Sequence, residues 1–148
     1  RRPGVSCRLT EIRVAPASNE TTFRVRYSET DQMGGFYNSR ALEWFELGRT
    51  EVLRRLAPYA EMERRGVLLP VVEAHVEYLG RARYDDELRI TSRVELFGRA
   101  RLRFEHVIEA VNGGASVVRG HTIHAITDAT GRPVRPPAWL VEALSDRP

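Results

Sequence analysis

Asp31 stands where a carboxylate can be put to work. It follows an alternating stretch, precedes Gly34 and Gly35, and lies just ahead of Tyr37-Asn38-Ser39, after which Ala41, Leu42, Trp44, Phe45 and Leu47 take up helical spacing. The glycines admit backbone conformations closed to other residues, and Asn38 or Ser39 can serve as the N-cap. The first turn of a helix leaves amide hydrogens without intrahelical partners, at the positive end of the helix dipole. A carboxylate beside such a terminus suits a reaction in which an oxygen gains negative charge. The amides would hold that oxygen while the carboxylate attacks or activates water, which is the chemistry of acyl transfer. The residues alone leave a second reading open, because an aspartate among glycines is commonly a loop or capping carboxylate.

The elements that must position these residues are legible in the spacing of apolar side chains. From Thr22 to Ser28, Phe23, Val25 and Tyr27 alternate with Arg24, Arg26 and Ser28, which predicts a strand with one buried face that delivers Asp31 to its loop. A helix is expected from Ser39 to about Ala57, enclosed in its first half and stopped by Pro58. Gly48 costs up to ~1 kcal/mol relative to alanine in a helix interior, so another backbone, most naturally a sheet, is expected to pass close by. Residues 60–65 add a turn or two of helix.

From Gly66 onward the period becomes two. Strands are expected over 67–79, bent at Pro70, then over Glu87–Phe97, Arg101–Val111 and Ala115–Thr127, the last two joined by Asn112-Gly113-Gly114. Consecutive strands with short connections are expected to be antiparallel neighbours. A strand, a long helix and four strands give an α+β domain in which a five-stranded antiparallel sheet wraps around one long central helix. The hotdog fold meets that description, and ferredoxin-like and cystatin-like sheets start from similar patterns. Pro136-Pro137 opens a further short helix through Leu144, expected to cap the sheet edge. Residues 1–20 read as a loosely attached leader, with an edge strand through Leu9, Ile12 and Val14 and a turn at 16–19; residues 21–148 read as a single domain.

Composition excludes several classes. The chain has 148 residues, 42% hydrophobic and 29% charged, with a formal net charge of +3, ordinary for one globular domain. No stretch approaches the ~20 apolar residues of a membrane span, and the first residues contain no continuous apolar run of the kind a secretory signal needs. The lone Cys7 excludes an intrachain disulfide framework and favours a cytoplasmic setting. All 23 basic residues are arginines, yet no basic run is interleaved with aromatics, so nucleic acid is not an expected partner. His75, His106, His121 and His124 show no metal-ligand spacing, and His121 and His124 should face opposite sides of a strand. No metal or cofactor is expected.

The stretch Tyr27, Glu29-Thr30-Asp31, Gly34, Tyr37-Asn38 and Phe45-Glu46-Leu47-Gly48-Arg49-Thr50-Glu51 resembles the signature of the 4-hydroxybenzoyl-CoA thioesterase family of hotdog-fold acyl-CoA thioesterases. A weaker match continues through Tyr84-Asp85-Asp86-Glu87-Leu88, so the resemblance covers roughly residues 22–130. It implies hydrolysis of an acyl-CoA to a carboxylic acid and CoA, CoA being part of the substrate. Asp31 then occupies the position of the catalytic aspartate, as nucleophile or general base. The backbone amide of Asn38 would polarise the thioester oxygen, while Gly34 and Gly35 shape the loop. Many family members carry histidine at the position of Asn38, whose amide side chain exchanges no protons near neutral pH.

Tyr37 would line the acyl pocket or pack against the sheet, and Trp44 would help set pocket depth. Arg99 and Arg101 fall in a strand turn where related enzymes place basic residues against the CoA phosphates. Glu46 lies ~12 Å along the helix from Asn38; it is expected to pair with Arg49 and is kept as an outside catalytic candidate. Family members pair their sheets, so a homodimer or homotetramer is expected. Competing readings are an acyl-CoA or fatty-acyl binding module without catalysis, and a hotdog enzyme acting on acyl-carrier protein.

Overall fold

The computed structural model describes residues 17–57 and 59–145. Cys7, Pro58 and the expected strand through Leu9, Ile12 and Val14 lie outside them. Five strands, β1 (Ser18–Arg24), β2 (Val71–Tyr78), β3 (Glu87–Phe97), β4 (Arg101–Ala110) and β5 (Ser116–Ala125), form one antiparallel sheet in the order β1-β3-β4-β5-β2. A long helix, α1 (Arg40–Leu56), packs on it, with α2 (Tyr59–Arg64) and α3 (Ala138–Leu144) at its margins. This is the α+β hotdog arrangement expected from the strand and helix periods.

The alternation in the sequence is the alternation of burial. Leu88, Ile90, Ser92 and Val94 of β3 and Leu102, Phe104, His106 and Ile108 of β4 are buried, while the residues between them face outward. Helix α1 answers with a stripe of Ala41, Trp44, Phe45, Gly48, Val52 and Leu53. Each fully buried Leu, Ile or Phe contributes ~1.5–3 kcal/mol by leaving water, so the helix is held mainly by this face. Leu42, expected to be enclosed, is 42% exposed, because the early helix touches the sheet on one side only.

Three local expectations are corrected. Strand β1 begins at Ser18 rather than after a turn, since its ladder with β3 runs from Ser18↔Arg93 to Arg24↔Glu87; cross-strand pairing outweighs the weak strand propensity of Ser18 and Asn19. The chain leaves the sheet after Arg24 and coils into a 3-10 turn at Tyr27–Glu29, so Tyr27 is 78% exposed instead of buried. Strand β2 is not a neighbour of β3: it crosses to pair with β5 on the far edge, and β1 takes the place beside β3. Helix α3 buries Leu140 with Ala17, Val94, Leu102 and Ile126 at the end of the core away from Asp31.

Gly48 marks a close approach of α1 to the sheet, to side chains rather than backbone. A Cβ there would collide with Ser92 Oγ and would stand 2.8 Å from Ile90 Cδ1 and 3.3 Å from His106 Nδ1. Beside it the core is polar. His106 Nδ1 and Ser92 Oγ are hydrogen bonded at 2.8 Å. His124 Nδ1 bonds the Leu69 carbonyl at 2.8 Å, so it carries the proton, and Nε2 accepts from Thr122 at 2.9 Å. Arg49, 8% exposed, donates to Thr122 Oγ1 at 3.4 Å. The expected Glu46–Arg49 ion pair does not form, because Arg49 turns inward while Glu46 faces solvent.

Burial, aided by the Arg49 charge, lowers His106 to about 3, and burial likewise lowers His124 to about 4, with the Leu69 carbonyl pulling the other way. Both rings are therefore neutral when folded but protonate near pH 6.5 when unfolded. The unfolded chain binds more protons below that pH, so stability present above it drains away as pH falls toward 4, by ~1.4 kcal/mol per histidine per pH unit. Thermal unfolding between pH 7 and 5 should show a steep fall in Tm. A flat profile would mean that neither ring is held neutral.

Candidate active site

The acidic loop is tied off by its own backbone. The Asp31 amide donates to the Gly35 carbonyl at 2.8 Å, the Gly34 amide to the Asp31 carbonyl at 3.1 Å, and Thr30 and Phe36 form an isolated antiparallel bridge. Gly34 has φ +81°, a left-handed conformation that explains a glycine there. The Met33 amide donates to Asp31 Oδ1 at 2.9 Å, which sets the carboxylate's orientation.

Glu29 pins the loop from beneath. Its side chain is buried, with Oε1 accepting from the Arg26 amide at 2.8 Å and Oε2 from the Trp44 indole at 2.8 Å. Burial pushes the Glu29 pKa up, but these hydrogen bonds and the Arg26 charge outweigh it, so the group is held below the usual carboxylate range. Trp44 is clasped between Phe23 and Phe36, with ring centroids at 5.2 and 4.8 Å. It is thus a buried strut under the loop and not part of the cleft wall.

The loop, the start of α1 and the end of β2 surround a cleft of about 220 Å³, lined by Asp31, Gly35, Tyr37, Asn38, Tyr78 and Arg81 among others. The Tyr37 amide is spent on the Glu29 carbonyl at 2.8 Å. The amides of Asn38 and Ser39 have no acceptor among the described residues, and Ser39 caps α1 without a side-chain bond. The structure thus brings Asp31, Gly35, Tyr37 and Asn38 together, with Gly34 shaping the turn behind them. Arg99 and Arg101 are at the opposite end of the sheet. Their strand turn follows Phe97, whereas the cleft lies at the Glu87 end of β3, so within one chain they do not reach it.

Tyr78 was not singled out by the sequence, where it is one more aromatic in an alternating strand. Its hydroxyl donates to the Asn38 carbonyl at 2.7 Å and its ring stacks on Phe36. It therefore fixes the peptide that carries the Ser39 amide. Tyr78→Phe, which keeps the ring, should lower kcat roughly 3- to 10-fold with KM little changed. An unchanged kcat would remove Tyr78 from any positioning role.

A family model for the Thioesterase-like superfamily matches residues 25–144. The chain belongs to that superfamily. The resemblance read from Tyr27 to Glu51 holds at this level, and with it membership of a family of thioester hydrolases. Among curated proteins the chain is 49% identical over 55 residues to YneP of Bacillus subtilis, a candidate acyl-CoA thioesterase; the match spans 36% of this chain and 40% of that protein. Among solved structures it is similar to the hypothetical protein TT1821 of Thermus thermophilus, with 30% identity, a TM-score of 0.77, and 86% of this chain and 95% of that one covered. A DHNA-CoA thioesterase from Staphylococcus aureus gives 29% identity and a TM-score of 0.74 over 80% of each chain. In this thioesterase-superfamily chain, none of the helices among the described residues is long and apolar enough to cross a membrane.

Proposed function

We propose that this chain hydrolyses an acyl-CoA thioester, with Asp31 as nucleophile or general base and the amides of Asn38 and Ser39 as the oxyanion site. The observation that carries this reading is that an oriented Asp31 carboxylate and Asn38, whose amide has no acceptor among the described residues, line one cleft at the start of α1. A thioester carbonyl is electrophilic and its thiolate leaves without a strong general acid, so these two parts suffice. Asn38 contributes its backbone, and its side chain needs no proton exchange. The similarity to YneP and to the Staphylococcus aureus enzyme supports CoA as the carrier. Thiol release from a panel of short, long and aromatic acyl-CoAs tests the reading. Binding of acyl-CoA without release of thiol from any of them would replace it with a binding module.

A second copy of the chain is the expected cover for β2. This edge strand leaves one side of its backbone unpaired, and Val71, Val72 and Tyr78, with Leu79 just after it, are exposed by about half each, which is an edge that soluble proteins shield. Sedimentation equilibrium checks this; a monomer at all concentrations would refute it.

A further inference from the structure

We propose that Arg81 recognises an anionic group on the acyl part of the substrate, so that the preferred thioesters are those of dicarboxylic acids. This rests on the cleft being the hydrolytic site. Arg81 walls the same cleft as Asp31 and Asn38. Arg81 is exposed, and one of its nitrogens, Nη2, donates to the Met33 carbonyl at 3.1 Å, which draws the guanidinium toward the loop and leaves its remaining N–H groups for another partner. Three other arginines near the loop are neutralised: Arg24 pairs with Glu87, Arg26 with Glu29, and Arg40 with Glu43. None of those three lines the cleft. Arg81 makes no ion pair with a carboxylate among the described residues. An unbalanced guanidinium in a cleft wall is a bidentate receptor for carboxylate or phosphate oxygens.

Distance favours a carboxylate on the acyl part. Arg81 bonds the Met33 carbonyl, and the Met33 amide bonds Asp31 Oδ1, so the guanidinium lies within roughly 10 Å of the Asp31 carboxylate by ordinary backbone dimensions. The pantetheine arm places about 13 bonds between the thioester sulfur and the nearest phosphorus, roughly 15 Å when extended. In a five-carbon dicarboxylic acyl group the terminal carboxylate is about 4 bonds from the reacting carbonyl, roughly 5 Å. Adding ~3 Å for the approach of the nucleophile brings that carboxylate within reach of Arg81. The guanidinium also offsets the repulsion between Asp31 and a second carboxylate in the same cleft.

The test compares glutaryl-CoA with valeryl-CoA, which match in length and differ in the terminal carboxylate, using the parent chain and Arg81→Gln. The parent should favour glutaryl-CoA in kcat/KM. The variant should raise KM for glutaryl-CoA roughly 10- to 100-fold and leave valeryl-CoA nearly unchanged. Equal losses on both substrates would make Arg81 a latch for the loop and overturn the proposal. A loss on every CoA thioester that vanishes with the corresponding pantetheine thioesters would assign the guanidinium to a phosphate, and would overturn it too. If Asp31→Asn hydrolyses as well as the parent, the catalytic reading fails while the KM comparison still decides the role of Arg81. If no thioester is hydrolysed, calorimetric affinities of the same two CoA esters decide it: equal affinities for the parent reject the proposal.

Discussion

Asp31→Asn is expected to lower turnover of an accepted acyl-CoA by ~100-fold or more while the chain stays folded and keeps its affinity for CoA. The substitution preserves shape. An asparagine oxygen can still accept the Met33 amide hydrogen now given to Oδ1, and the loop is held by backbone bonds from Asp31 to Gly35 and from Gly34 to Asp31, so little else should change. What disappears is the negative charge and the capacity to attack carbon or take a proton from water. A loss of that size corresponds to ~2.7 kcal/mol of transition-state stabilisation. Circular dichroism and CoA titration on the same sample separate a chemical loss from misfolding. Parental turnover in the variant would make Asp31 a loop carboxylate, and Glu46, exposed on α1, would become the suspect.

Gly120→Ala should cost ~3 kcal/mol of stability, at the upper end for overpacking by one carbon, and lower the Tm by roughly 10 °C. Gly120 lies in β5 beneath the ring of Phe45. A Cβ there would collide with the His75 carbonyl of β2 and sit 2.9 Å from Phe45. Neither can yield cheaply, since the carbonyl belongs to the strand ladder and Phe45 is fully buried and stacked on His106 at 4.5 Å. Gly98→Ala is the control. It has φ +67° but no atom within 4 Å of the added carbon, so it should cost only the left-handed backbone term of ~1 kcal/mol. Equal shifts for the two variants would show that the sheet relaxes around residue 120.

Much of this architecture was legible in the order of residues, and the reasons are physical. Strand β3 falls on its expected bounds because Leu88, Ile90, Ser92 and Val94 keep strict alternation and both ends are marked by turn residues. Helix α1 was clear because Trp44, Phe45, Val52 and Leu53 repeat at helical spacing. Strand order was less accessible. That β2 crosses to β5 depends on pairing between residues far apart in the chain, as in His75↔His121, and alternation carries no information about partners. For the cleft, the motif drew attention to Asp31, Tyr37 and Asn38, while Tyr78 and Arg81 stayed hidden because only the crossover of β2 brings its end to the loop. Glu29 was visible within the motif, but its work as a buried strut needed Trp44 from a later turn of α1.

The strand order also bears on how the molecule assembles itself. Strands β3, β4 and β5 are consecutive hairpins joined by tight turns, so they can zip together locally at little cost in loop entropy. The two outer strands must instead find partners across long spans of chain, and it is these two that deliver the Asp31 loop and Tyr78. The cleft end of the molecule is therefore the part expected to form last in folding and to open first in native-state hydrogen exchange, while the central meander stays protected.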